Sequence, residues 1–485
     1  MKNKHVMLGC LVWLLWILPC SLFSAEPWPC PRRTSRGGAN LVRSTKDKPD
    51  SLGPWQFRNS RHSWGYVQRM KVWTSAAVLE SKDDVLVYAG SYDGNLYCLD
   101  ASRGEMKWSF TTGGKIQAEP IIGQLNGQNI VLIGSTDRTL YALAAATGRL
   151  EWKYQAVPWR PTLGGGNLAS PCLANRHGRL VVAAPVWAYD RSIGNNLQLS
   201  ELHLLDVESG KLIWKIELGM TPPTGAIAVE TSLGPAILVA IESGILQAIL
   251  VENGQKIWSF SSGGLVLGTP SSAVVNGKRL AFLGSKYNFI HAIDVETGQE
   301  VWKFRAGMWI DSSPAVARVG GRDLVIFGSY DYYLYALAAE EGNLVWKKKL
   351  GGAVYSSAAF LPRDGVDEYV FVSSWDDALY CLETATGTIV WKRYIGRAIW
   401  DGIPLGESTW ASPVVLAAGL KSTVLIGSYS GWFLSEPVWK PGGDIANLGR
   451  TAGNVWVGLI ASVLLTTAVV TVIMTKRGLK KTASG

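Results

Sequence analysis

A segment that ends on a tryptophan returns along most of the chain. The clearest copies cover residues 90–108, 134–152, 284–302 and 328–346, with looser copies at 240–258 and 373–391 and a partial one at 201–214. The closing tryptophans are Trp108, Trp152, Trp214, Trp258, Trp302, Trp346 and Trp391. Their spacings are 44, 62, 44, 44, 44 and 45 residues, so one unit carries an insertion. A fixed period of about 40–45 residues indicates an array of one supersecondary unit.

Each unit has the pattern of β-strands joined by tight turns. Val85–Ala89 is apolar and β-branched, Asp93-Gly94 is typical of a hairpin turn, and Leu96–Leu99 is a second strand. A glycine such as Gly104 marks the next turn, and Glu105–Phe110 follows as a strand. A further strand precedes several units and is marked by a small residue before proline: Ser170-Pro171, Thr269-Pro270, Ser313-Pro314 and Ser412-Pro413. The sequence therefore predicts four strands per unit.

The central strands of the units are apolar on both faces. Such strands must be covered on both sides, and sheets stacked around a closed ring satisfy this requirement. The sequence predicts an all-β fold, an eight-bladed β-propeller, with seven blades as the alternative count. An open solenoid would need polar end caps, which the sequence lacks. The eight inner strands are predicted near Ser75, Ala118, Ser170, Ala226, Thr269, Ser313, Ser357 and Ser412.

The last predicted blade lacks the glycine-to-tryptophan ending of the others. The segment Pro54–Val67 precedes the first blade and is predicted to supply the strand that closes the ring. The propeller is accordingly assigned to residues 54–437.

Both ends of the chain carry patterns that are typical of membrane targeting. Residues 1–25 combine two lysines, an apolar run and a small pair, which predicts a signal peptide, with an uncleaved anchor as the alternative. Residues 455–475 are 21 uncharged residues, enough to cross ~30 Å of hydrocarbon at ~1.5 Å per residue. They predict one transmembrane helix, with a buried core helix as the alternative.

The segments between and beyond these elements fit one topology. Residues 26–53 are predicted to be a basic, flexible segment and 438–454 a juxtamembrane linker. The tail 476–485 holds four basic residues and no acidic ones, so the positive-inside rule predicts a cytoplasmic C-terminus. We therefore expect a single-pass membrane protein whose propeller is extracytoplasmic, in a periplasmic, extracellular or lumenal space.

The net charge of +9 does not indicate nucleic-acid binding. The two ends of the chain together carry +12, which leaves about −3 for the repeat region. A nucleic-acid binder carries positive charge on its folded surface. The composition therefore excludes that class of function.

Cysteines and histidines give no catalytic or metal-binding pattern. Cys98 and Cys381 occupy the same repeat position and are predicted to be small buried residues, whereas a bond between Cys30 and Cys172 stays open. The five histidines have no metal-ligand spacing, and no Gly-x-Ser-x-Gly motif occurs. His203 and His291 lie at the strand position of Tyr97 and Tyr141, which favours a structural role. The sequence predicts no catalytic residue, no cofactor and no metal.

The repeat resembles the pyrroloquinoline-quinone (PQQ) repeat. Copies of its Asp…Gly…Trp pattern are Asp100…Gly104…Trp108, Asp206…Gly210…Trp214 and Asp294…Gly298…Trp302, and Trp55-x-Phe57-Arg58 resembles the opening segment of that family. The resemblance covers about residues 55–437 and implies that the closing tryptophans dock between neighbouring blades. The family contains quinoprotein dehydrogenases and non-catalytic, BamB-like outer-membrane assembly proteins, so the fold alone does not decide the function.

The dehydrogenase branch implies features that this sequence lacks. PQQ is bound with a Ca²⁺ ion held by oxygen ligands, and many such enzymes carry adjacent cysteines and large insertions over the cofactor. The chain has no Cys-Cys pair, and its longest insertion is Val186–Leu199. We therefore expect a non-catalytic protein of the BamB-like kind, with a PQQ-linked dehydrogenase as the alternative.

Aromatic residues outside the repeat register mark the candidate binding loops. Because blade docking does not require them, these residues are predicted to contact a ligand or partner, with filling of the funnel mouth as the alternative. They are Trp159, Arg160, Trp309, Asp311, Trp400, Asp401 and Trp410. The sequence thus predicts a membrane-anchored binding or assembly scaffold for protein partners at the membrane surface, with a carbohydrate or peptide sensor as a further alternative.

Overall fold

The computed structural model describes residues 41–43, 55–58, 75–80, 84–157, 163–190, 197–363, 366–394, 398–400, 403–405, 411–417, 423–427 and 432–437. All of them belong to one compact unit, Met1–Val438. Within these residues no helix has the length and apolar character needed to cross a membrane. The predicted signal peptide, linker, transmembrane segment and tail lie outside the described residues.

The described regular elements are β-strands. Two short ones come first, β1 (Leu41–Arg43) and β2 (Trp55–Arg58). Blade one contains β3 (Ala77–Glu80), β4 (Val85–Gly90), β5 (Asn95–Asp100) and β6 (Met106–Thr111). Blade two contains β7 (Ile121–Leu125), β8 (Gln128–Gly134), β9 (Thr139–Ala144) and β10 (Leu150–Gln155). Blade three contains β11 (Leu163–Leu168), β12 (Cys172–Arg176), β13 (Arg179–Asp190), β14 (Leu197–Asp206) and β15 (Leu212–Gly219). Blades four and five contain β16 (Pro223–Thr231), β17 (Gly234–Ile241), β18 (Ile245–Leu250), β19 (Lys256–Ser261); and β20 (Ser271–Val275), β21 (Lys278–Gly284), β22 (Phe289–Asp294), β23 (Glu300–Arg305).

The remaining strands continue this order. Blades six and seven contain β24 (Ala315–Val319), β25 (Arg322–Gly328), β26 (Tyr333–Ala338), β27 (Leu344–Lys349); and β28 (Ala359–Arg363), β29 (Val366–Ser374), β30 (Ala378–Glu383), β31 (Ile389–Tyr394). A small hairpin follows, β32 (Ala398–Trp400) with β33 (Ile403–Leu405), and then β34 (Val414–Ala417), β35 (Thr423–Gly427) and β36 (Trp432–Pro437).

The strands form an all-β propeller with four-stranded blades. Six blades are antiparallel sheets of four consecutive strands, and blade three holds a fifth because both β11 and β12 pair with β13. In blade one all six residues of the third strand β5 are buried, whereas the outer strand β6 has alternating exposure. The expected two-sided burial of the central strands is therefore present.

Strands from the beginning and the end of the described chain pair in one further sheet, which we call the closing sheet. Its order is β1-β34-β35-β36-β2, with β2 antiparallel to β36 and β1 parallel to β34. The prediction that the segment before blade one supplies a strand to the last sheet is confirmed. The closing sheet lies between blades seven and one, because Val415 packs with Phe371 while Val414 packs with Val87.

The hydrophobic core is divided among the interfaces between sheets. Eight clusters of buried side chains occur, and each joins two neighbouring sheets around the ring. The structure thus shows seven blades built from consecutive strands, which is the alternative count; the predicted count of eight is not shown, because the remaining sheet is assembled from two distant parts of the chain. No blade has a core of its own, so each depends on its neighbours for burial.

The repeat tryptophans lie at these interfaces. The indole nitrogen of six of them donates a hydrogen bond to a carbonyl of the following blade, at 2.8 to 3.0 Å: Trp108 to Ala145, Trp152 to Val207, Trp214 to Val251, Trp258 to Val295, Trp302 to Ala339 and Trp346 to Thr384. The indole nitrogen of Trp391 makes no hydrogen bond within the described part of the chain.

The recurring turn glycine makes room for the tryptophan. Gly342 has a φ of +74°, and a Cβ there would lie 2.6 Å from the Trp302 ring. Any residue other than glycine would therefore be unfavourable here for two reasons: the positive φ would strain its backbone, and its Cβ would clash with the indole. The glycine and the tryptophan of the repeat are two halves of one contact.

A ring of hydroxyl groups ties the inner ends of the blades together. The backbone N–H of Thr269 donates to Ser313 Oγ at 3.0 Å, and that of Ser357 donates to Ser412 Oγ at 2.9 Å. Glu119 N–H makes the equivalent bond to Ser170 Oγ at 2.9 Å. In each of these bonds the hydroxyl of the small residue accepts from a backbone N–H of the preceding blade, which explains why this residue recurs.

We predict that Trp302→Ala lowers the free energy of unfolding by about 3–5 kcal/mol, because it removes a large aromatic side chain from a packed interface. Trp302→Phe keeps a ring but loses the bond to Ala339, so its cost is about 1 kcal/mol. Urea unfolding of both variants measures the difference. Equal stability of Trp302→Ala and the parent protein would contradict the docking role.

Candidate functional site

Two kinds of loop share one face of the propeller, which we call the connection face. One kind is the turn between the second and third strands of a blade, and the other is the connection to the next blade. Tyr330 N–H donates to Trp309 O at 2.9 Å, and Lys286 N–H donates to Leu265 O at 2.7 Å. The connection face comprises the turns 91–94, 135–138, 242–244, 285–288, 329–332 and 375–377 with the connections 112–120, 220–222, 262–270, 306–314 and 350–358.

The turns of this face are fixed by a tyrosine–aspartate contact. Tyr335 OH donates to Asp331 Oδ2 at 2.5 Å, and the same oxygen accepts the N–H of Gly307, from the preceding connection, at 2.8 Å. The equivalent tyrosine–aspartate pairs are Tyr97–Asp93, Tyr141–Asp137 and Tyr380–Asp376. These side chains hold turn and connection together, so the loops above them start from a rigid base.

The two buried histidines replace this tyrosine, as their repeat position predicts. His203 Nε2 lies 2.8 Å from Glu201, and His291 Nδ1 lies 2.7 Å from Glu300. Both have carboxylate partners inside a blade. The structural interpretation of the two histidines therefore agrees with their contacts.

Exposed apolar side chains are concentrated on the connection face. Seven large ones occur there in the described residues, with 38 to 66% of each side chain's surface exposed: Met220, Leu265, Tyr287, Met308, Trp309, Tyr332 and Trp375. In the described turns of the opposite face only Leu233 is of this kind, and the outer strands that follow those turns begin with four more, Met106, Leu150, Leu212 and Leu344. This asymmetry distinguishes the two faces, because isolated exposed apolar residues are ordinary but a concentration of them marks contact surfaces.

Four aromatic rings of blades five to seven touch one another, and we call them the aromatic cluster. Trp309 and Tyr330 meet edge to face with centroids 5.3 Å apart, and Tyr330 contacts Tyr355 at 4.3 Å. Tyr355 stacks on Trp375 at 4.6 Å. The contacts hold the rings of Trp309 and Trp375 in fixed orientations while more than a third of each stays exposed.

A charged group lies beside this cluster. The Lys286 ammonium is 5.0 Å from the centre of the Trp309 ring and 3.8 Å from Asp311 Oδ2. Burial raises the pKa of Asp311 from 3.8 to about 6, although Lys286 acts in the opposite direction. Burial likewise raises the pKa of Glu242 to about 7, again opposed by Lys286. One ammonium group therefore acts on two carboxyl groups whose pKa values lie within about one unit of neutral pH.

The predicted binding residues are only partly brought together. Trp309 and Asp311 lie in one connection, and Trp309 is exposed while Asp311 is 3% exposed. Trp400 ends strand β32, and its side chain lies outside the described structure. Trp159, Arg160, Asp401 and Trp410 also fall outside the described residues. Their proximity to Trp309 therefore stays a prediction.

Several members of the site are absent from the sequence prediction. They are Glu242, Lys286, Tyr330, Tyr355 and Trp375. Four of them occupy one variable position, the second residue of the turn between the second and third strands, where blades one and two have Tyr92 and Thr136. Aligning the repeats and reading this position across them is the signal that would find the site.

The described residues do not fit a Ca²⁺-quinone site of the kind that the PQQ resemblance implies. Calcium needs about six to eight oxygen ligands. The connection face instead places an ammonium group 3.8 Å from Asp311, and no group of three or more metal-binding side chains occurs in the described residues. Burial also raises the pKa of the Cys98 thiol to about 12 and raises that of Cys381, which keeps both unreactive.

A separate cleft of about 390 Å³ lies on the opposite face, and the residues that line it belong to blade three. Arg176, Arg179, Asp206 and Glu208 line it, and Arg176 bonds to Glu252 of blade four at 3.0 Å. Its charges are balanced by one another. We assign this cleft to the contact between blades and not to ligand binding.

We predict that Asp311→Asn removes a pH dependence of stability. The folded chain keeps a proton that the unfolded chain releases between about pH 4 and 6, so the stability of the parent protein falls as pH rises through that window. At about pH 8 the variant is more stable by about 1–3 kcal/mol, and near pH 4 the difference vanishes. Urea unfolding at both pH values measures this; a variant that is less stable at both would contradict the burial cost.

Comparisons with known proteins agree with this architecture. The chain is 30% identical over 120 residues to a quinoprotein ethanol dehydrogenase of Pseudomonas putida; the match covers 24% of this chain and only 19% of that relative's length. The solved structure of Sqt1 from Saccharomyces cerevisiae is similar at a TM-score of 0.58 with 12% identity, covering 83% of this chain and 100% of that one.

A second solved structure is the quinohemoprotein alcohol dehydrogenase ADHIIG from Pseudomonas putida. Its TM-score is 0.56 with 12% identity, covering 86% of this chain and 82% of that one. At such identities both structures support the fold alone. The family model described as outer membrane protein assembly factor BamB matches residues 54–239, 242–364 and 331–400. The chain therefore belongs to this family of PQQ-repeat β-propellers.

Proposed function

We propose that this protein is a non-catalytic binding scaffold whose connection face receives a protein partner. The observation that carries the proposal is the concentration of seven exposed apolar side chains on that face against one in the described turns of the opposite face. Exposed tryptophan and methionine are typical of protein contacts. Rigid presentation lowers the entropy that binding must overcome, and the tyrosine–aspartate contacts supply that rigidity.

The family adds support to this reading. Its model is described as an assembly factor, a function that consists of binding other proteins. We further propose that the closing sheet acts as the eighth blade of the ring. The membrane topology predicted from the sequence places the propeller on the extracytoplasmic side, tethered through residues 455–475 next to membrane partners.

The second candidate function is a PQQ-linked dehydrogenase. It is favoured by the segment that is 30% identical to a quinoprotein ethanol dehydrogenase. Incubation of the full-length protein with PQQ and Ca²⁺, followed by an alcohol-dependent dye-reduction assay, distinguishes the two functions. Cofactor binding with turnover would replace the scaffold proposal by the enzyme.

We predict that Leu265→Asp and Met308→Asp abolish binding of the protein partner, because each puts a charge into the apolar surface. Native mass spectrometry of the full-length protein, gently extracted from its membrane, measures the bound partner. Leu233→Asp is the matched control, since it makes the same change on the opposite face. A partner that stays bound to both test variants but leaves the control would move the site to the other face.

A further inference from the structure

The carboxylate of Asp311 lacks the hydrogen bonds that a buried acid normally has. Asp311 is 3% exposed, and neither of its oxygens has a hydrogen-bond partner within the described residues. Lys286 Nζ, at 3.8 Å from Oδ2, is beyond hydrogen-bond distance. A buried acceptor left in this state costs about 1–3 kcal/mol. The cost is relieved when a ligand supplies donors.

This acid lies at the mouth of the central channel. Only Ser312, Ser313 and Pro314 separate it from the inner strand β24, which begins at Ala315. Tyr355 holds the equivalent place after blade six, ahead of inner strand β28. A ligand that enters the channel from the connection face therefore meets the exposed rings of Trp309 and Trp375, whereas contact with Asp311 requires a local movement, because both of its oxygens are buried.

Two flat aromatic surfaces flank the mouth. Lys286 covers one face of Trp309, and 38% of that side chain is exposed. Tyr355 covers one face of Trp375, and 39% of that side chain is exposed. Tyr330 contacts both tryptophans, at 5.3 and 5.8 Å between centroids. These contacts orient the two rings, and a ligand can stack only on the part of each ring that is exposed.

The charges around the mouth select for a neutral ligand. A cation would meet Lys286, and an anion would meet Asp311 and Glu242, the two carboxyl groups that this lysine faces. A hydroxyl group has one donor and two acceptor sites. When that local movement uncovers the carboxyl group, a ring hydroxyl donates to Asp311 and accepts from the neighbouring Lys286 without adding charge.

We propose that the aromatic cluster with Asp311 and Lys286 is a binding site for a neutral carbohydrate ring, stacked on Trp309 or Trp375. Apolar sugar faces match exposed aromatic rings, and ring hydroxyls match the carboxylate and ammonium pair. The proposal rests on the assignment of the connection face as the binding face, and it adds a glycan to the protein partner proposed above.

The test is a titration of the full-length protein with maltohexaose, cellohexaose and chitohexaose, followed by tryptophan fluorescence and calorimetry. We expect saturable binding of at least one of them with a dissociation constant below about 1 mM. A heparin hexasaccharide is the charged comparison and is expected to bind more weakly. Binding of none of the neutral sugars, or a preference for the heparin fragment, would overturn the proposal.

Variants locate the site. At least one of Trp309→Ala and Trp375→Ala is expected to weaken sugar binding about ten-fold or more, and Asp311→Asn to weaken it while the protein stays folded. Tyr394→Ala is the control, because it removes an exposed aromatic ring from the outer strand β31. If both tryptophan variants bind the sugar as tightly as the control variant does, the sugar binds elsewhere and the proposed site is wrong.

The failures of the two proposals are distinguishable. Loss of the protein partner in Leu265→Asp and Met308→Asp together with absent sugar binding would overturn the glycan site alone. If sugar binding depends on Trp309 but Leu265→Asp and Met308→Asp still bind the protein partner, only the proposal of a protein-docking face is overturned.

Discussion

The contact between each repeat tryptophan and the following blade is the interaction on which the rest of the structure depends. Because no blade has a core of its own, every sheet is stabilised through its neighbours, and the indole bridges that interface with both packing and a hydrogen bond. The turn glycine is part of the same contact, since any side chain there would occupy the space of the indole. The period of 44 residues is therefore the distance along the chain from one blade–blade interface to the next.

The rigid ring separates the positions that hold the fold from those that vary. Aspartate and tyrosine fix the base of the turn in four blades, as in Asp331 and Tyr335, while the residue that precedes this aspartate differs in chemistry from blade to blade. That position changes from Tyr92 in blade one to Lys286 and Tyr330 in blades five and six. The binding properties of the connection face therefore reside in a small number of variable positions on an invariant frame.

The fold was largely predictable from the sequence, and the site only in part. Periodicity, turn glycines and the small residue before proline are local signals, and they located the strands and the closing role of Trp55–Arg58. Trp309 and Asp311 were visible because they depart from the repeat. Lys286 and Trp375 were not, because their importance comes from neighbours about 25 and 20 residues away in the chain, such as Asp311 and Tyr355. Contacts between blades depend on ring geometry, which a pattern within one repeat does not contain.

The closing sheet also constrains how the molecule is made. Trp55 pairs with Ser435, so the final sheet joins strands that are separated by 380 positions. Such a contact has the largest loop-closure cost in the ring, whereas the blades themselves are built from local hairpins. During synthesis the early strand must stay unpaired until almost the whole propeller has emerged. The apolar faces of blades one and seven that later pack on the closing sheet are exposed during that time, and this interval is when the chain is most vulnerable to aggregation and most in need of a chaperone.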